Sequence, residues 1–167
     1  NALFIDIQNG RDSADRSGNI NEPFATLNYA QSRIMATDRN EIYISSGTYH
    51  TSTITLQNGI SLYGNYSALN GWTRSPSFKS VFINDANPVR PSSIALIGNG
   101  IIENTILSNL EFQTVSATSS GGSTYGLHCT NCPKLVLQYN KFVVAKANAG
   151  ANGVSGSDGI SGIPGAN

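Results

Sequence analysis

The chain has 167 residues, a formal net charge of zero at pH 7 and only 12% charged residues. This composition argues against a nucleic-acid-binding protein, which needs a concentrated basic surface, and no apolar run reaches the length that crosses a bilayer. We expect one turn-rich domain that meets water through neutral Asn, Ser, Thr and Gly side chains.

The first regular element predicted is a single helix. Thr26 is a suitable N-cap, and Leu27, Ala30 and Ile34 follow it at spacings that form one apolar face. An Asp-Arg-Asn group ends this pattern. The sequence therefore predicts a helix near 27–37, with strands and turns after it.

The strand candidates are short, aliphatic, and end at Gly or Asn. Because no second helix separates them, the alternatives are a β-sandwich, an antiparallel barrel or a β-solenoid, all of them all-β folds. The candidate strands lie at 42–44, 53–56, 60–63, 81–83, 94–97, 105–107 and 135–137.

A weak internal repeat favours the solenoid over a pair of similar sandwich strands. Such a repeat is expected where each turn of chain buries its aliphatic side chains by stacking on its neighbours. Asn109 and Asn140 are predicted at the corners, because Asn tolerates left-handed backbone and its amide can bond an adjacent turn. A shift of 30 residues aligns Ile97 with Leu127, Thr105 with Leu135, Leu107 with Leu137, and Phe112 with Phe142.

Two segments of the first half carry a family resemblance. Within residues 12–49 an Asp- and Gly-bearing loop precedes Pro23-Phe24-Ala25-Thr26-Leu27 and then Ile42-Tyr43-Ile44-Ser45-Ser46-Gly47-Thr48-Tyr49. Ile60-Ser61-Leu62-Tyr63-Gly64-Asn65-Tyr66 is followed by Trp72-Thr73-Arg74. These segments resemble the N-terminal part of bacterial pectate-lyase-like β-helix proteins, with Asn65 in place of the family's usual second glycine.

The resemblance covers about residues 3–145 and is specific in the first half. It implies a right-handed parallel β-helix over 1–147, with one N-terminal helix capping an end that would otherwise expose unpaired backbone groups. The family contains polysaccharide lyases and hydrolases, surface lipoproteins and adhesin-like proteins, so the resemblance implies shape more than activity.

Residues 148–167 are predicted to form a separate collagen-like Gly-x-y tract. A three-residue period suits an extended helix whose glycines allow another backbone to approach closely. One proline, Pro164, is too few for a free-standing triple helix, so we expect an extended tail or coil insertion that packs on the solenoid or on other copies. A flexible linker is the alternative, and the native chain is expected to continue beyond Asn167. The glycines in register are Gly150, Gly153, Gly156, Gly159, Gly162 and Gly165.

Cys129 and Cys132 form the most conspicuous local cluster. A local structural disulfide is the favoured interpretation, given an oxidising compartment. A redox pair would need a helix N-terminus, and a zinc site would need further ligands, for which the sequence offers only His128 and His50. Two free thiols are the remaining alternative.

The acidic residues form no close pair after residue 22. A lyase of the resembled family needs acids that hold calcium and a Lys or Arg base, and a hydrolase needs close carboxylates. The best remaining group is Asp85 with Arg90 and Lys79, which we interpret as a solvated ion pair. No catalytic, cofactor-binding or metal residue is assigned.

Asp12, Asp15 and Asn19 lack the spacing of an EF-hand calcium loop. The family resemblance instead implies that this segment is a structural turn before the capping helix.

Tyr63, Tyr66 and Trp72 are candidates for contact with sugar rings, with packing in the core or at an edge as the alternative. The favoured function is a non-enzymatic extracellular or cell-surface scaffold, bacterial by resemblance, for adhesion or assembly. Its expected partners are other copies, through the Gly-x-y tract, or a cell-surface glycan. The alternatives are the N-terminal part of a polysaccharide lyase or glycoside hydrolase, and a carbohydrate-binding module.

Overall fold

The computed structural model describes residues 2–162, which form short β-strands and one α-helix. A 3-10 turn, Ala68–Asn70, is also present. In chain order the elements are β1 (Ala2–Ile5), α1 (Leu27–Ile34), β2 (Glu41–Ser45), β3 (Gly47–Thr51), β4 (Ile54–Thr55), β5 (Ser61–Ser67), β6 (Thr73–Arg74), β7 (Ser80–Asn84), β8 (Ser93–Asn99), β9 (Thr105–Ser108), β10 (Glu111–Thr114), β11 (Thr124–Thr130), β12 (Leu135–Gln138) and β13 (Lys141–Val143).

The strands form three sheets, here named A, B and C. Sheet A has the order β1-β2-β5-β9-β12, sheet B the order β3-β7-β10-β13 and sheet C the order β4-β8-β11. From β2 onward the chain visits A, B and C in the same rotation, and these neighbours all pair in parallel. Among the described strands, only the short β6 pairs antiparallel, with β5. The antiparallel sandwich considered from the sequence is therefore wrong.

The core consists of side-chain ladders that run from one pass of the chain to the next. In sheet B the rings of Tyr49, Phe82, Phe112 and Phe142 stack in order, with centroid separations of 4.9, 5.7 and 5.5 Å. In sheet A, register pairing places Ile42, Leu62, Leu107 and Leu137 above one another. In sheet C it does the same for Ile54, Leu96 and Leu127. Each strand thus buries its inward face against the strands before and after it.

The helix α1 packs on β1 at the N-terminal end of these ladders. The predicted N-cap is confirmed: Thr26 Oγ1 accepts a hydrogen bond from the Tyr29 N–H at 3.2 Å. The predicted apolar face is confirmed too, because Leu27, Ala30 and Ile34 are all buried.

The helix is shorter than predicted, since it ends at Ile34 rather than near residue 37. The carbonyls of Arg33 and Ile34 accept bonds from the N–H groups three residues later, at Ala36 and Thr37. The Thr37 hydroxyl also donates to the Ile34 carbonyl at 2.8 Å. These bonds tighten the last turn and satisfy the terminal carbonyls, so the α-helical pattern stops there.

Three of the four alignments predicted by the 30-residue shift are confirmed as register pairs: Thr105 with Leu135, Leu107 with Leu137, and Phe112 with Phe142. The fourth is wrong, because Leu127 pairs with Leu96 and not with Ile97. The loop between β10 and β11 is one residue longer than its counterpart in the preceding pass, which displaces β11 by one position.

The prediction for Asn109 is confirmed, as it is left-handed at a φ of 57°. For Asn140 the predicted backbone is wrong, because the preceding residue, Tyr139, takes the left-handed conformation at a φ of 54°. Asn140 does bond the adjacent pass: its amide accepts from the Leu110 N–H at 3.0 Å and donates to the Leu107 carbonyl at 2.8 Å. Asn65 also adopts positive φ, 64°.

Candidate functional site

An aromatic cluster lies on the outer face of sheet A and contains the three predicted sugar-contact residues. Tyr66 stacks on Tyr43 at 4.8 Å, Tyr63 meets Tyr43 edge-on at 5.8 Å, and Trp72 meets Phe4 edge-on at 4.7 Å. All five side chains are half-buried. The rings pack mainly against one another. The structure therefore brings Tyr63, Tyr66 and Trp72 together as a packed cluster rather than as an open platform for a sugar.

Burial changes the acid–base properties of two tyrosines in this cluster. Burial, with a 3.0 Å hydrogen bond from the Tyr43 hydroxyl to the Glu41 carboxylate, raises the pKa of Tyr43 to about 12. Burial also raises the pKa of Tyr66, and the charge of Arg74 partly opposes that rise. Both changes favour the neutral phenols.

Arg74 joins the aromatic cluster to the neighbouring corner of the fold. Its guanidinium carbon lies 5.7 Å from the ring centre of Tyr63 and 5.3 Å from that of Tyr66. Its Nε donates to the Gly64 carbonyl at 3.0 Å, and Nη2 donates to Ser108 Oγ at 3.1 Å. The guanidinium is therefore held by two successive passes of the chain.

A groove of about 370 Å³ opens beside Arg74, where the chain turns from sheet A toward sheet B. The groove is lined by Arg74, Ser75 and Pro76 and by the left-handed residues Asn65, Asn109 and Tyr139. A smaller pocket continues from the same three residues toward Lys79 and Lys141.

Glycine is required next to this groove, at position 64, where two passes of the chain approach closely. A Cβ on Gly64 would lie 2.3 Å from the Asn109 carbonyl oxygen. Only glycine lets these two passes of the chain approach so closely.

The sequence did not predict this groove, although one signal was present. The 30-residue shift aligns Tyr139 with Asn109, so a large aromatic residue occupies a corner suited to Asn. In the sequence, Arg74 stands out only within the segment that carries the family resemblance.

Cys129 and Cys132 form a disulfide near the last described pass of the chain, with their Cα atoms 6.2 Å apart. It packs against Gly98 of the preceding pass, where an added Cβ would lie 2.6 Å from Cys129 Sγ. The ring of His128 lies edge-on to Tyr125 at 6.0 Å. The disulfide thus covers part of the end of the core, against which Cys132 packs.

The group proposed around Asp85 is not brought together as predicted. Asp85 contacts His50, with Nδ1–oxygen distances of 2.9 and 3.0 Å, because β3 and β7 are neighbours in sheet B. Arg90 donates instead to the backbone carbonyls of Asn87 and Ser116. The ion pair expected between Asp85 and Arg90 is therefore wrong.

The Asp12 segment forms the structural turn that the resemblance implied. The Asp12 carboxylate accepts bonds from the Ala25 and Thr26 N–H groups at 2.8 and 3.1 Å, which places it beneath the helix N-terminus. Asp15 pairs with Arg11, and Asn19 accepts from nearby backbone N–H groups. Within residues 2–162, no three His, Cys, Asp or Glu side chains are grouped so that they could hold a metal ion.

The two residues that precede the Gly-x-y tract, Asn148 and Ala149, still form hydrogen bonds with the preceding pass of the chain. The Gly121 N–H donates to the Ala149 carbonyl at 2.7 Å, and the Asn148 N–H donates to the Gly122 carbonyl at 2.9 Å. Apart from the glycine itself and its two chain neighbours, no heavy atom of the described residues lies within 4 Å of a Cβ built on Gly150, Gly153, Gly156, Gly159 or Gly162. Gly165 and Pro164 lie outside the described residues, and packing of the tract against other copies remains a prediction.

No described helix has the length and apolar character that crossing a membrane requires. No family model, curated protein or solved structure matches the chain.

Proposed function

We propose that the chain is a right-handed parallel β-helix module of a non-enzymatic extracellular or cell-surface scaffold, and that it acts by assembly. The regular rotation through three parallel sheets and the continuous ladders support the β-helix. The local disulfide supports an oxidising, extracellular setting. The resemblance to pectate-lyase-like proteins agrees with both.

The observation that carries the assembly proposal is the open last rung of the ladders. Leu107 is 0% exposed, whereas Leu137, one rung further along the same ladder, is 44% exposed. Phe142 and Leu127 end the other two ladders and are also only partly buried. The outer edges of β11, β12 and β13 have no further strand among the described residues. Such an edge, with exposed apolar side chains, is a template for association.

We propose a second copy of this chain as the occupant, because two association features lie at the same end; a further pass of the same chain beyond Asn167 is the alternative. The Gly-x-y tract leaves the fold directly after Ala149, beside the open rung, and its described glycines are free for close approach. Three lysines lie in this last pass, Lys134, Lys141 and Lys146. The segment 124–149 that contains them has no Asp or Glu. Their repulsion keeps the association weak at low salt.

Sedimentation velocity at increasing protein and salt concentrations tests this proposal. We expect concentration-dependent self-association that strengthens with salt, and that weakens in Leu137→Lys and Gly156→Val. Met35→Lys is the matched control, because Met35 is an exposed apolar residue at the opposite end. A monomer at every concentration and salt, or equal loss in the control, overturns the proposal.

The enzyme alternative predicts turnover instead of assembly. It has less support because several carboxylates are already used in structural contacts: Asp6 with Ser45, Asp12 with Thr26, Asp85 with His50, and Glu111 with Lys141. A reducing-end assay on polysaccharides distinguishes the two, since new ends formed by the wild-type chain would favour the enzyme.

The carbohydrate-binding alternative predicts that Trp72→Ala abolishes glycan-array binding. Trp72 lies against Phe4 and Tyr66, so this variant also requires a folding control.

A further inference from the structure

We propose that a pocket between the end of α1 and the edge of sheet A binds a small zwitterion with an apolar side chain, as an α-amino acid or a short peptide has. The pocket has a volume of about 620 Å³, within the range of small-molecule sites. It is formed by α1 and by loops that follow it, well before the last described pass of the chain. The site is therefore independent of the assembly proposed above.

The pocket lies where three loops enter sheet A. The strands β2, β5 and β9 are neighbours in that sheet, and Arg39, Gly59 and Glu103 each lie two residues before one of them. Because neighbouring strands are about 5 Å apart, these residues occupy the same corner in consecutive passes of the chain. All three line the pocket.

Glu103 supplies a carboxylate to this pocket. Its backbone N–H donates to Asn58 Oδ1 at 2.8 Å, and its Oε2 lies against Gly59, where an added Cβ would be 2.6 Å away. Gly59 has a φ of 77°, a conformation that favours glycine, so no side chain at that position takes the space beside the carboxylate. None of the ion pairs found among residues 2–162 includes Glu103.

Arg39 supplies the opposite charge. Its Nη1 donates to the Ser17 carbonyl at 3.1 Å, and its backbone N–H donates to Thr37 Oγ1 at 3.2 Å. These bonds hold the half-buried side chain in place before a ligand arrives. Like Glu103, Arg39 takes part in no ion pair found within the described part of the chain. The pocket therefore contains one cation and one anion that do not neutralise each other.

The rest of the lining offers apolar surface and an unpaired acceptor. Met35 is 71% exposed and lies in the lining with Ile34 and Ile60, which are buried. Gln57 also lines the pocket, and its Nε2 donates to the Gln31 carbonyl at 3.3 Å. The Oε1 of the same amide is buried and has no hydrogen-bond partner among the described residues. A buried acceptor without a donor favours a ligand that brings N–H groups.

These features together select the ligand class. An ammonium group has three donors for carboxylate and amide oxygens, and a carboxylate pairs with a guanidinium through two parallel N–H bonds. A simple cation would leave Arg39 without a partner, and a simple anion would leave Glu103 without one. An apolar side chain would cover Met35. α-Amino acids and short peptides carry all three groups in one molecule.

Five compounds test the proposal by isothermal titration at about pH 6.5, where a free α-amino group is charged. L-leucine and L-leucyl-L-leucine are zwitterions. N-acetyl-leucine lacks the ammonium, leucinamide lacks the carboxylate, and N-acetyl-leucinamide lacks both. We expect at least one zwitterion to bind and each blocked compound to bind about tenfold more weakly or not at all. The zwitterion that binds more tightly identifies the ligand as a free amino acid or a short peptide.

Two variants assign the charged groups. In Glu103→Gln we expect the preference for a free ammonium to disappear, and in Arg39→Gln the preference for a free carboxylate. Asp38→Asn and Arg33→Gln are the matched controls, because these exposed charges adjoin lining residues in sequence but lie outside the lining. Thermal unfolding checks that all four variants fold.

The proposal is overturned if neither zwitterion binds, if N-acetyl-leucinamide binds as tightly as the zwitterions, or if both lining variants keep the preferences of the wild type. Equal loss of binding in the two controls also overturns it, because the effect would then come from overall charge. Self-association is measured separately by sedimentation, so failure of this proposal is distinguishable from failure of the assembly proposal.

Discussion

The two ends of the stacked ladders differ in how their last side chains are covered. At the N-terminal end, α1 places Leu27, Ala30 and Ile34 on the core, and Leu3 in β1 is 1% exposed. At the other end the corresponding Leu137 is 44% exposed. A stacked side chain is buried only if it has neighbours on both sides, so each end of a ladder needs its own cover.

The covers also differ in chemistry. The N-terminal cover is a helix whose start is fixed by Thr26 and the carboxylate of Asp12. At the other end, the disulfide of Cys129 and Cys132 covers only part of the core, and lysines lie around the rest. Lysines on strand edges oppose uncontrolled pairing, while a disulfide constrains the chain locally.

The largest expected effect comes from truncating the same side chain at two rungs of one ladder. We expect Leu107→Ala to lower the free energy of unfolding by about 2–5 kcal/mol, because it leaves a cavity in a closed part of the core. Leu137→Ala removes a half-exposed side chain and should cost about 1 kcal/mol or less. Urea denaturation of both variants measures the difference. Similar losses would mean that the last rung is covered in solution, and a measurement at low concentration would then show whether self-association covers it.

An intermediate effect is expected from the helix cap. Thr26→Ala removes the acceptor for the Tyr29 N–H and a donor to Asp12, and should cost about 1 kcal/mol. Ser32→Ala is the control, because its hydroxyl donates to a backbone carbonyl within the exposed part of the same helix. Thermal unfolding of the two variants compares them. Equal stability of both would show that the N-terminal cover does not depend on its cap.

The smallest effect concerns pH at the aromatic cluster beside the N-terminal end. The pKa of Tyr43 is about 12 in the folded chain, above its ordinary value of 10.0, so the folded state holds this proton more tightly. The stabilisation of the folded state that this raised pKa gives is fully present below pH 10, and it is lost as the pH rises from 10 toward about 12. Because Tyr43 is partly exposed, the loss is small.

Tyr43→Phe should make the fall in melting temperature over this range shallower without abolishing it, since Tyr49 and Tyr66 also have raised pKa values. An unchanged slope in Tyr43→Phe would exclude Tyr43 as a source of the alkaline loss.

Much of the fold was predictable from local patterns. The start of α1 follows from Thr26 and the apolar spacing after it, and each strand candidate overlaps an observed strand. The pairs Leu107–Leu137 and Phe112–Phe142 follow from the 30-residue repeat, because stacking makes sequence period and register the same quantity.

The failures lie at corners and between sheets. The pairing of Leu127 with Leu96 depends on one extra residue in a loop, and the contact of His50 with Asp85 depends on which strands become neighbours. The aromatic residues of sheet A were recognised as a group, but their mutual packing was not, because Phe4 and Tyr43 come from strands far earlier in the sequence.

The start of the helix, the approximate positions of seven strands and the repeat of aliphatic residues follow from the sequence, because these depend on short-range propensity and period. Within residues 2–162, the tertiary structure is what shows that α1 covers one end of the core while the last described rung at the other end is partly exposed, and that Arg74, Asn65 and Tyr139 line a single groove. Asn65 and Arg74 belong to one pass of the chain, and Tyr139 belongs to the second pass after it. Their proximity arises from stacking, which places residues that are distant in sequence at the same corner.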